Sequence, residues 1–175
     1  MNESRTGGPD QRLLFTRAYR ELSPAVVGYL RARGVDDPEA VSQDVFLALY
    51  PRLEELHGGP EGLRTLVFSI AHARVVDHHR FRSRVPVAVE YDPDQDARTT
   101  PSAEEHALGG STGIVAVLAT LSPEHREVLA LRIVADLSVE ITAEIMGRTP
   151  GAVKQLQRRA LLALREVAVP AGSLA

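Results

Sequence analysis

Apolar positions recur at helical spacing along most of this chain. Leu14, Ala18, Leu22, Val26 and Leu30 repeat every four residues and predict a first helix over 11–33. Ser23-Pro24 marks a kink or break in it, and Gly34 ends it. A second helix over 38–50 carries Val41, Val45, Ala48 and Leu49 on one face. A third, over 62–82, buries Leu63, Leu66, Val67, Ile70 and Ala71, and His57-Gly58-Gly59-Pro60 before it reads as a turn or loop. Helical spacing resumes over 113–121, 123–134, 139–146 and 150–166. No sustained apolar–polar alternation and no Asn-Gly or Asp-Gly hairpin turn appears, so the predicted fold is all-α. Residues 85–112 break the pattern with Pro86, Pro93, Pro101 and a run of acids, the composition of a flexible acidic linker. The expected organisation is two small helical domains, 11–84 and 113–168, joined by that linker. Residues 1–10 read as a loose tail, and the final VAVPAGSLA suggests no role.

The last two helices have the pattern of a helix-turn-helix. Ala143, Gly147 and Val153 supply a small residue where helices cross, a residue tolerant of positive φ at the turn, and an apolar anchor on the second helix. Thr149 is placed to cap that helix and Pro150 to occupy its first position, where a missing N–H costs nothing. Ser122-Pro123-Glu124 makes a similar start for the 123–134 helix. Val153, Leu156, Ala160, Leu161 and Leu164 then form one apolar stripe. From Arg148 to Arg165 there are five basic residues and no acidic one, which suits a helix lying against phosphates.

Charge sharpens the picture. The net charge of −3 argues, taken alone, against a nucleic-acid binder, but its distribution does not. Residues 36–61 hold seven acids against one arginine, 64–84 hold five arginines against Asp77, and 86–112 hold six acids against Arg98. Two basic patches separated by acidic segments imply two DNA-facing surfaces and at least one surface of another kind. A hydrophobic content of 44% suffices for folded cores. The chain has no cysteine, hence no disulfide or thiolate metal site, and no apolar run approaches the roughly 18 residues of a membrane span. MNESRTGGPDQR lacks a signal-peptide core, so a soluble cytoplasmic protein is expected.

Three segments, in order, resemble a bacterial RNA polymerase sigma factor of the extracytoplasmic-function group, whose members keep two helical domains called regions 2 and 4. PEAVSQDVFLAL resembles the family's acidic helix that docks on the polymerase clamp. LRTLVFSIAHARVVDHHRFRSR resembles the helix that reads and melts the −10 promoter element, and LSPEHREVLALRIVADLSVEITAEIMGRTPGAVKQLQRRALLALR the domain that reads the −35 element. The family commonly has Asp, Trp and Asn where this chain has Ala40, Leu66 and Ala73, and Leu156-Gln157 replaces a common Arg-Leu order.

The resemblance implies a non-enzymatic initiation factor without cofactor or metal. Its partners would be core RNA polymerase, double- and single-stranded promoter DNA, and an anti-sigma factor, with no membrane insertion. On that basis Arg148, Thr149, Gly151, Lys154, Gln155, Arg158 and Arg159 face the −35 duplex, with phosphate contact the main task and Gln155 suited to an adenine edge. His57, Gly58, Arg64, His72, Arg74, His78 and Arg80 serve the −10 strand, where opening requires backbone contacts and capture of an extruded base. Glu39, Gln43, Asp44, Phe46 and Leu47 form the polymerase-docking face, although acids in a first turn are good helix chemistry without any partner. Two rival readings remain. One is a helix-turn-helix regulator acting without polymerase. The other is a metal-dependent phosphoesterase suggested by Val76-Asp77-His78-His79, which lacks the companion motifs of such enzymes.

Overall fold

The computed structural model describes residues 9–84 and 111–168. Every regular element among them is helical: α1 (Pro9–Ala32), α2 (Pro38–Leu49), a 3₁₀ turn (Tyr50–Glu55) and α3 (Gly59–Arg84), then α4 (Ser111–Ala119), α5 (Pro123–Leu129), a π-helical turn (Ala130–Val134), α6 (Val139–Met146) and α7 (Pro150–Ala168). Most of the linker predicted over 85–112, and most of both tails, lie outside the described residues.

Side-chain caps set the helix starts. Asp37 accepts from the Ala40 N–H at 3.0 Å, Ser138 from Ile141 at 3.1 Å and Thr149 from Ala152 at 3.2 Å, each satisfying a donor that has no partner within its helix. Pro38, Pro123 and Pro150 each open a helix, where φ is already suitable and no N–H is missed. Gly147 ends α6 at φ 62, the left-handed conformation that lets its N–H return to Glu144 and that of Arg148 to Ala143.

Several boundaries differ from expectation. Helix α1 runs through Pro24 without a break. Arg20, whose carbonyl loses its partner there, is exposed like Pro24, so water can take the bond. The helix predicted over 123–134 is α-helical only to Leu129. A π-turn follows, closed by Ala135 N–H to Ala130 O at 2.9 Å. Helix α3 begins at Gly59, inside the predicted loop. A Cβ on Gly62 would fall 2.0 Å from the His57 carbonyl oxygen, so only glycine lets the His57 loop fold over the first turn of α3.

Helices α1, α2 and α3 pack on one another, as do α4 to α7, and the two groups meet where α1 crosses α4 and the π-turn and where α3 meets α6. Ala18, Leu22, Val26, Leu30, Leu63, Val67, Ile70 and Ala71 are buried as their spacing predicts, while Leu14 and Leu66 are half-buried. Buried residues of both groups belong to one continuous cluster. Leu161 corrects the predicted stripe of the last helix: it is 38% exposed, because the buried face is set by Val153, Leu156 and Ala160 and residue 161 turns past its edge.

Candidate nucleic-acid interface

The helix-turn-helix positions its second helix from below. Ala143 and Val153 are buried, and Val153, Leu156 and Ala160 fix α7 against α5 and α6. Arg132 adds a polar tie. Its Nε donates to Gln157 Oε1 at 3.1 Å, and the same guanidinium bonds the Leu137 carbonyl. Leu156 is therefore core, and Gln157 points back to the scaffold. With that rotation set, Gly151, Lys154, Gln155, Arg158 and Arg159 are all exposed. Lys154, Arg158, Arg159 and Arg165 form no ion pair with any described residue. Thr149 is the cap, and Arg148, also exposed, pairs with Glu124 at 2.5 Å. The result is a capped helix N-terminus flanked by cations that have no ion-pair partner among the described residues.

The residues predicted for the −10 strand divide. His57, Gly58 and Arg80 are exposed and Arg74 is half-buried. His78 lies 3.4 Å from Asp36, whose other oxygen pairs with Arg82 at 2.9 Å. Arg64 and His72 are engaged by the second group of helices. Arg64 Nη2 donates to the Ala135 carbonyl at 2.9 Å, and His72 Nδ1 lies 2.9 Å from Glu127 Oε1. His79 Nε2 lies 3.0 Å from the Arg33 carbonyl oxygen. Burial, with Arg33 nearby, lowers its pKa from the usual histidine value.

On α2, Glu39, Gln43, Asp44 and Leu47 share the outer face, Leu47 being 70% exposed and Glu39 paired with Arg31 at 2.5 Å. Phe46 must be removed from that set. It is 2% exposed and meets Tyr19 edge-on with ring centroids 4.9 Å apart, and Phe15 at 6.3 Å. One residue along a helix is a rotation of about 100°, enough to carry position 46 inward with Val45 and position 47 outward.

Sequence reasoning missed Arg33, Tyr29, Glu127 and Arg132, the polar groups that join elements. Burial works against the charge of Glu127, but His72 and Arg33, with Arg148, outweigh it and hold its carboxyl below the usual range. Tyr29 is fully buried with its hydroxyl 3.4 Å from His72 Nδ1, and burial raises its pKa. Nothing local in the sequence marks contacts between positions so far apart.

The described residues contain no group of three or more His, Cys, Asp or Glu able to hold a metal ion, and no helix among them is long and apolar enough to cross a membrane. Asp77, His78 and His79 lie along one helix, with His78 beside Asp36 and His79 beside Arg33.

Residues 117–166 match the family model for sigma-70, region 4. Over 165 residues the chain is 33% identical to the ECF RNA polymerase sigma factor SigD of Mycobacterium tuberculosis strain H37Rv, covering 88% of this chain and 76% of that protein. The chain belongs to the ECF family of RNA polymerase sigma factors. It is also 33% identical over 135 residues to the ECF sigma factor ShbA of Streptomyces griseus, covering 74% of this chain and 71% of that one. Among solved structures, the sigma factor RpoE in complex with the anti-sigma factor NepR, from Bartonella quintana, shares the fold at a TM-score of 0.68 and 24% identity, over 87% of this chain and 95% of that one. CnrH in complex with the cytosolic domain of CnrY does so at a TM-score of 0.64 and 21% identity, over 89% and 88%. This sigma factor thus carries its helix-turn-helix within the matched region 4 segment, and membership of the family decides against a polymerase-independent regulator.

Proposed function

We propose that this ECF sigma factor joins core RNA polymerase in the cytoplasm and brings it to promoters through two separate contacts, catalysing no reaction itself. Residues 113–168 form the −35 reader. Helix α7 enters the major groove N-terminus first, with Arg148, Thr149, Gly151, Lys154, Gln155, Arg158 and Arg159 against phosphates and base edges. Residues 11–84 form the −10 unit, with His57, Gly58, Arg64, His72, Arg74, His78 and Arg80 holding the melted strand. Glu39, Gln43, Asp44 and Leu47 on α2 meet the polymerase. An anti-sigma factor is its further partner; the RpoE of the solved structure is in complex with the anti-sigma factor NepR.

The observation that carries this reading is the outer face of α7. It presents four basic residues, none paired with a described acid, on a helix whose rotation is fixed by a buried stripe and by the Arg132–Gln157 bond. The test is reconstitution with core polymerase, followed by transcription from candidate promoters. Binding to core and promoter-dependent transcripts are expected. A protein that fails to bind core polymerase at all would overturn the reading.

A further inference from the structure

Gln157 is a polar residue of α7 outside the set assigned to the −35 duplex, and its amide has a fixed direction. Its Oε1 accepts from Arg132 Nε at 3.1 Å. A guanidinium carries donors only, so the amide atom facing it is the oxygen, and the two N–H donors of Nε2 are turned elsewhere. That nitrogen has no partner among the described residues and is not buried. Arg132 is itself anchored: the same guanidinium bonds the carbonyl of Leu137, next to the Ser138 that caps α6. One side chain thus joins the π-turn, the entry to α6 and the middle of α7. Turning the amide over would set donor against donor and break that join.

Gln157 is half-buried at the edge of the outer face of α7. It stands three residues from Lys154, hence beside it on the helix surface, and with Lys154 and Arg158 lines a cleft of about 680 Å³. Neither cation has an ion-pair partner among the described residues. The chain makes an exchange here. Where the family commonly has Arg-Leu, this protein has Leu156, 4% exposed in the core, followed by a neutral donor at 157. We infer that Gln157 is a further DNA contact, its amide N–H groups donating to a backbone phosphate oxygen beside Lys154. Arg132 is the positioning residue that aims them. A glutamine free to flip offers oxygen or nitrogen in turn, whereas one held by Arg132 offers nitrogen only, the atom a phosphate accepts from. The contact rests on α7 being the −35 helix.

Being neutral, Gln157 displaces no counterion from DNA, and that separates it from the cations around it. The test is binding of the full-length protein to a duplex selected from a random pool, and to a scrambled one, by fluorescence anisotropy over a range of salt concentrations. Gln157→Leu should bind both duplexes about tenfold more weakly, the size of one hydrogen bond to a charged acceptor, with the slope of log affinity against log salt unchanged. Arg132→Lys keeps the charge and can still donate to the Leu137 carbonyl, but lacks the fork that holds both partners. It should lose the same factor in the parent and nothing further in Gln157→Leu. Unchanged affinity in Gln157→Leu overturns the contact. So does a loss confined to the selected duplex, which means a base edge, or a loss with a shallower slope, which means that the cations of α7 have moved. Additive losses from the two substitutions overturn the positioning role of Arg132. Arg158→Ala, measured alongside, distinguishes the two levels. If it weakens binding and Gln157→Leu does not, this contact alone falls; if neither does, α7 is not the duplex-binding helix and both fall.

Discussion

The outer face of α7 and the basic face of α3 look alike in sequence and do opposite things in the folded protein. Each is a helix rich in arginine. On α7, Lys154, Arg158 and Arg159 point outward with no ion-pair partner among the described residues. On α3, Arg82 pairs with Asp36, His72 contacts Glu127, and Arg64 holds two carbonyls of the π-turn region. The acids that make the difference come from distant segments. The sign of a charge run therefore does not say whether it is available; the residues brought opposite to it do. The comparison also sorts binding from architecture. Cations on α7 should matter to DNA and hardly at all to stability, whereas the cluster around Arg33 should matter to stability first.

Arg33→Ala tests the architectural side and should have the largest effect. It removes a buried guanidinium and leaves Glu127 poorly compensated, a loss of about 3 kcal/mol in urea unfolding, at the low end of what broken buried pairs cost because this pair is 3.9 Å apart. Arg158→Ala tests the other side. Being exposed, it should change stability by less than about 0.5 kcal/mol. It should weaken duplex binding across sequences and reduce the slope of log affinity against log salt by about one. A stability loss for Arg158→Ala comparable to that for Arg33→Ala would erase the distinction between the two helices.

Acid should act on the Arg33 cluster and spare the face of α7. Glu127 is held below its ordinary 4.5: burial opposes its charge, but His72 and Arg33 favour it more strongly. Its contribution is complete above that ordinary value and is lost as pH falls through the lower, folded one. His79 is held below 6.5, by burial first and then by Arg33. It resists protonation when folded, so stability falls as pH drops below 6.5 toward its folded value. Both groups act in the same direction. Urea midpoints should decline modestly below about pH 6.5 and more steeply below about 4.5. A midpoint that rises on acidification would contradict both assignments.

What was legible in the sequence was local. The Ala143–Gly147–Val153 spacing, the Thr149–Pro150 start and the buried stripe of α1 follow from backbone preferences and helical periodicity, which act over a few residues, and each stands where expected. Phe46 was misplaced because neighbouring positions on an apolar helix differ only by rotation, and its aromatic partners Phe15 and Tyr19 lie on another helix. The Arg33–Glu127 contact was out of reach for a different reason. Its partners are separated by the whole acidic segment, and charge pairing leaves no periodic trace. Gly28 did offer a signal: a glycine inside an apolar helical stretch lowers helix propensity and calls for a packing reason, here the approach of Val134.

The smallest expected stability change gives a fine test of the α7 face. Gly151 occupies the second position of α7, is exposed, and has no atom within 4 Å of where a Cβ would stand. Nothing in the folded protein requires glycine there. Alanine should fit and, by restricting the unfolded chain and favouring helix, raise stability by about 0.5 kcal/mol. For a helix N-terminus pressed against a phosphate, the same methyl crowds the approach of an oxygen to the Gly151 N–H, the N–H of this first turn that neither Thr149 nor a proline removes. Gly151→Ala should therefore melt slightly higher and bind −35 duplex more weakly, a split that thermal unfolding and fluorescence anisotropy can read on one preparation. Equal affinity in the two proteins would mean that DNA meets α7 through its side chains alone, and the −35 contact would shift toward Lys154 and Arg158.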